Sequence, residues 1–235
     1  MDMLQTKQAT QQDTRFFRLF SWVILAFVII AFGGKAVFNT DSLPPITSMH
    51  HFHAISMMGW FVLFAVQTTL MDTSRNNLHR ILGGLSLLLV ITFIIFSGLI
   101  SKLNWAREGE PLILTSNLVN ITMFLGFYIT GILQRRNTAT HRRLMAFATI
   151  SFLGPAAARI PEIFDASVFL SLPILLAFMF TPLIHDRFIK RKTYGVTIIG
   201  TGLLLSMIPV NLTLSGLPAW VSLLETVFGK GGLGG

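Results

Sequence analysis

Long apolar runs alternate with short polar connections along almost the whole chain. Seven can be marked, over residues 19–33, 54–71, 81–100, 112–133, 144–160, 168–184 and 196–214, the fifth and sixth being short. A helix rising about 1.5 Å per residue needs roughly 20 apolar residues to cross a hydrocarbon layer. The pattern therefore predicts an all-α fold, a polytopic membrane helical bundle of about seven transmembrane helices. Connections this short make neighbouring helices antiparallel and leave no room for a second soluble domain.

The ends read differently. Residues 1–14 are polar, rich in Gln and Thr and without apolar period, which predicts a disordered tail. No small-residue cleavage site follows the first apolar run, so that run is expected to stay as a membrane helix. Residues 15–215 form the membrane domain. Within 216–235, AWVSLLETVF predicts a short interfacial helix with Trp220 at headgroup depth, and GKGGLGG a flexible tail.

Composition agrees with the pattern: 52% of the 235 residues are hydrophobic and 12% charged, against about a quarter charged in soluble domains. Mean hydropathy is +0.67. No cysteine is present, which removes disulfides, iron–sulfur clusters, covalently attached haem and thiol catalysis.

The net charge of +8 is explained by where the charges fall. Lys7, Arg15, Arg18, Arg75, Arg80, Arg135, Arg136, Arg142, Arg143, Arg187, Lys190, Arg191 and Lys192 lie on one side of the predicted bundle. Only Lys35, Lys102, Arg107, Arg159 and Lys230 lie on the other. The positive-inside rule then puts the N-terminus in the cytoplasm and the C-terminus outside. The basic loops face anionic lipid, and no nucleic-acid partner is needed.

Two clusters carry candidate chemistry. On the cytoplasmic side, RNNLHRIL and RNTATHRRL echo each other, so His79–Arg80 and His141–Arg142 open the third and fifth spans. Two imidazoles from different helices with nearby cations for propionates are the donor set of a haem b site. The same residues also suit the interface, with Asn77, Thr138 or Thr140 capping and the arginines on lipid phosphate.

On the outer side, His50, His53, Met57, Trp60, Phe64 and Gln67 share one stripe of the second span. Asn117 and Asn120 lie in the fourth, and the stretch GPAAARIPEIFD that ends the fifth brings Arg159, Glu162 and Asp165 to the same outer face. His50, His53, Trp60, Gln67, Asn117, Asn120 and Arg159 make a candidate ligand pocket. His50 and His53 with Glu162 are a candidate metal set. Paired charges and interhelical amide bonds at a wet rim are the plainer reading.

Absences narrow the field. The seventh span has no lysine for a retinal Schiff base, and no Asp or Glu lies inside the seven apolar runs, where proton-coupled carriers usually keep one. H-E-x-x-H, G-x-S-x-G and Gly-rich phosphate loops are missing, so nothing assigns an enzymatic reaction.

HAISMMGWFVLFAVQTTL, LHRILGG and HRRLMAFATISFLGPAAARI, in that order over about half of the chain, resemble a class of bacterial multi-helix membrane proteins built around a domain of unknown function. The likeness falls on His53, Gln67, His79, Arg80, Gly83, His141, Arg142, Met145 and Arg159, and implies a bacterial inner-membrane location without naming an activity. A fainter likeness is to transmembrane di-haem cytochromes b, in which histidines on four consecutive helices bind two haems. The fourth span here has no histidine, so this resemblance implies one haem at most, between His79 and His141. The sequence thus predicts an inner-membrane protein binding or carrying a small ligand through the outer cluster. The alternatives are a single-haem redox protein and a non-catalytic assembly factor.

Overall fold

Thirty-six residues of continuous helix, from Met3 to Phe38 (α1), begin the computed structural model, which describes residues 3–40 and 47–232, with side chains from residue 11 onward. The expected disordered tail is thus helical from Met3, while Met1 and Asp2 lie outside the described residues. No Gly or Pro occurs before Gly33 to break the run. Asp13 and Phe17 are buried, so the segment is packed against the bundle as well as locally helical.

The remaining helices are α2 (Ser48–Asp72), α3 (Asn76–Glu108), α4 (Pro111–Leu133), α5 (Thr138–Ile150), α6 (Gly154–Ile163), α7 (Ser171–Ile184), α8 (Gly195–Ser215) and α9 (Pro218–Phe228). A short 3-10 turn precedes α7, and a π turn over His185–Ile189 extends it. The described residues form no strand. Six helices are long and apolar enough to cross a membrane. A seventh span exists if α5 and α6, bent by 45°, count as one. The molecule is a multi-pass membrane helical bundle.

That bend is where the expected fifth span, 144–160, departs from a straight helix. Pro155 cannot donate the backbone bond that would carry α5 onward, so the chain turns through Ser151–Leu153 and restarts with Pro155 in the first turn of α6. Pro111 and Pro218 likewise stand at helix starts, where a missing N–H costs nothing.

An aromatic knot fills the middle of the bundle. Phe124 meets Trp60, Phe93 and Phe152 at ring-centroid distances of 4.8, 4.9 and 4.9 Å. Trp60 Nε1 donates to Thr149 Oγ1 at 3.3 Å, so the indole's polar edge is satisfied far from water. Helix α8 approaches α5 so closely that a Cβ on Gly200 would stand 2.3 Å from the Phe147 ring. Leu88 and Ile199, by contrast, are 65% and 64% exposed and face the lipid.

The C-terminal segment closes the end opposite the basic loops. Trp220 donates to Thr115 at 2.9 Å and Trp105 to the Gly229 carbonyl at 2.7 Å. Gly109 ends α3 with φ +66°, and a Cβ there would also stand 2.9 Å from the Gly232 nitrogen; only glycine meets both demands. The expected flexible tail is therefore seated as far as Gly232, and 233–235 lie outside the described residues.

Candidate functional site

At the basic end, His79 and His141 occupy the fourth positions of α3 and α5. Asn137 caps α5 by accepting from the Thr140 amide at 3.2 Å, which fixes where its first turn begins. The two imidazoles, 62 residues apart in sequence, meet with centroids 6.4 Å apart and planes at 86°.

Each ring has a defined neighbour. His141 Nδ1 donates to the Gly131 carbonyl of α4 at 2.7 Å, which leaves Nε2 with its lone pair. The Gln67 amide of α2 donates to the His79 carbonyl at 3.2 Å. Gln67 Oε1 and His79 Nδ1 are both buried without a hydrogen-bond partner among the described residues. Gln67, His79 and His141 thus come together from three helices, and two of the buried polar atoms they bring lack the partner that such atoms usually have.

The flanking arginines diverge. Arg80 is exposed. Arg142 turns the other way, donating to the Thr138 carbonyl and to Thr14 Oγ1, each at 3.2 Å, and standing 3.9 Å from Asp13. One residue further round α5, Arg143 enters a buried ionic network that the sequence did not reveal. Its Nε donates to Asp186 Oδ2 at 2.9 Å and its Nη2 pairs with the other oxygen. Nη1 lies 3.4 Å from Asp13 and 2.9 Å from the Ala139 carbonyl.

Lys190 meets Asp13 at 3.1 Å, Thr197 donates to Asp186, and Tyr194 lies under the guanidinium at 3.9 Å. His185, stacked on Phe16 at 3.7 Å, turns Nδ1 to within 3.6 Å of Asp186 and 4.0 Å of Asp13. The donor atoms of Asp13, His185 and Asp186 lie within 4.8 Å of one another, the one such trio among the described residues. Arg143 and Lys190 already neutralise both carboxylates there, so the trio reads as an ion-pair network that pins α1 to α5, α7 and α8 rather than as a cation site. The only advance signal was the position of Asp186, two residues past the end of the sixth apolar run.

The outer residues divide among separate partners. His50 Nδ1 accepts from the Thr47 amide at 3.2 Å, closing the first turn of α2. His53 hydrogen-bonds with Ser97 of α3 at 3.4 Å. Arg159 lies over Phe32 of α1 at 4.3 Å and donates to the Pro155 carbonyl, while Glu162 pairs with Lys35 of α1 at 3.6 Å. Asn120 is buried on α4 and Asn117 half-buried. Gln67 lies a whole membrane away from His50, at the basic end beside His79.

Fold and site together define an integral membrane bundle with two facing helix-start imidazoles at one end. No family model, curated protein or solved structure matches the chain.

Proposed function

We propose that this is a b-type redox protein of a bacterial cytoplasmic membrane, in which His79 and His141 would hold one haem. The carrying observation is the 6.4 Å separation of the two rings. Two metal–nitrogen bonds of about 2 Å each, with half an imidazole on either side, span a centroid distance of about 6 Å. The bond from His141 to the Gly131 carbonyl is the kind of outer contact that fixes a ligating histidine's tautomer and raises its basicity.

A bare ion fits this donor set less well. Two imidazoles leave a tetrahedral ion short of donors, the remaining candidate is the weak amide oxygen of Gln67, and the charges that adjoin the two rings, Arg80 and Arg142, are cationic. A porphyrin brings its own in-plane nitrogens, and its propionates suit an exposed guanidinium. Such a group supplies a one-electron couple; the chain's part is to hold it between α3 and α5 and keep water from it. The basic loops point the haem end toward the cytoplasm and toward anionic headgroups.

Replacement of either ligand tests the reading. His79→Leu and His141→Leu should each yield folded protein, checked by its elution from a sizing column, with loss of the pigment of the parent. Full pigment in both variants would refute it.

A further inference from the structure

The outer wall of the bundle carries a furrow of about 320 Å³ between α1 and α7, lined by Phe16, Leu19, Phe20, Val23, Ala177, Phe178 and Thr181. Its floor is rigid. Phe16 is stacked on His185 at 3.7 Å and on Phe20 at 5.6 Å, and Phe20 meets Phe178 at 6.2 Å. Its rim is open to the bilayer, since Leu19 and Val23 are more than half exposed.

The furrow points at the basic end with an uneven distribution of charge. Arg15, Leu19 and Val23 follow one another at i, i+4 and i+8, so Arg15 stands at the head of the rim row, about 6 Å from Leu19 along the helix. Arg187 and Arg191 lie just past α7, and all three arginines are exposed. Nearby cations that turn inward have their anions: Arg18 has Asp72, and Lys190 and Arg143 have Asp13 and Asp186. Among the described residues, Arg15, Arg187 and Arg191 enter no ion pair. An apolar slot with an unpaired guanidinium, Arg15, at its head and two more just past α7 is complementary to a molecule with an alkyl chain and an anionic head.

We infer that this furrow is a specific site for one anionic phospholipid, an acyl chain in the slot and the phosphate on Arg15 and its neighbours. The inference is independent of the haem. The experiment is native mass spectrometry of the full-length, delipidated protein with added phosphatidylglycerol or phosphatidylcholine of identical chains. Retention of a single phosphatidylglycerol in preference to phosphatidylcholine is expected. Arg15→Gln should lower that retention by about fivefold, the share of one membrane-proximal cation, while Arg15→Lys keeps most of it. Ala177→Trp, which fills the slot, should lower retention of both lipids.

Equal uptake of the two lipids by the parent protein would overturn the site, as would phosphatidylglycerol binding left unchanged by both Arg15→Gln and Ala177→Trp. A change of oligomeric state in Ala177→Trp with lipid retention unaltered would assign the furrow to a second copy of the chain, and would also overturn it.

Discussion

Arg143 and Asp186 form a two-point ion pair from which solvent is excluded: the arginine side chain is 0% exposed and the aspartate 1%. Both charges have left water, so the pair holds only while each has the other and the surrounding Asp13, Thr197 and Ala139 groups complete their bonds.

Removing one partner should therefore cost more than any surface change. Arg143→Met leaves Asp186 buried and unneutralised, at a cost of about 3–5 kcal/mol. Thermal unfolding in detergent should show a large loss. Arg143→Lys cannot reproduce the fork that meets both carboxylate oxygens and should recover only part of it. A melting temperature unchanged in Arg143→Met would mean the network does not hold α1 in place.

Close packing of α8 on α5 predicts a coupled pair. Gly200→Ala places a methyl group against the Phe147 ring, and overpacking of this kind costs about 1–3 kcal/mol. Phe147→Leu removes the obstacle, so the double variant should be more stable than the sum of the singles allows. Strict additivity in the melting temperatures would contradict the contact.

Gln67 meets the two-histidine site through the His79 backbone carbonyl. If His79 and His141 hold haem as proposed, Gln67→Leu should leave haem content unchanged while shifting the reduction potential, because a polar group beside the His79 backbone is exchanged for an apolar one. A potentiometric titration followed by absorption reads this out; loss of haem in Gln67→Leu would instead make Gln67 part of the binding set.

Much of this architecture is legible in the sequence, because apolar runs of bilayer length admit few alternatives. Even the bend between α5 and α6 had its mark in Gly154–Pro155. Faces were harder. The stripe from His50 to Gln67 shares one side of α2, yet 17 residues of helix extend about 25 Å, so its two ends serve opposite ends of the bundle. Asp13 was hidden in a leader whose Gln and Thr content resembles disorder, and its burial follows from Arg143 and Lys190, distant in sequence. Periodicity says that a helix has an inner face; it does not say which helix that face meets. The meeting of His79 with His141 was suggested by the repeated His-Arg pairs, but their separation and the Gly131 bond are tertiary facts.

The most direct measurement is the absorption spectrum of the detergent-purified protein, oxidised and then reduced with dithionite, from cells supplied with haem precursor. A Soret band at close to one haem per chain that sharpens and shifts on reduction, and that vanishes in His79→Leu and His141→Leu, is the predicted result. A colourless, folded preparation from haem-replete cells would contradict it and leave the two histidines as interface anchors.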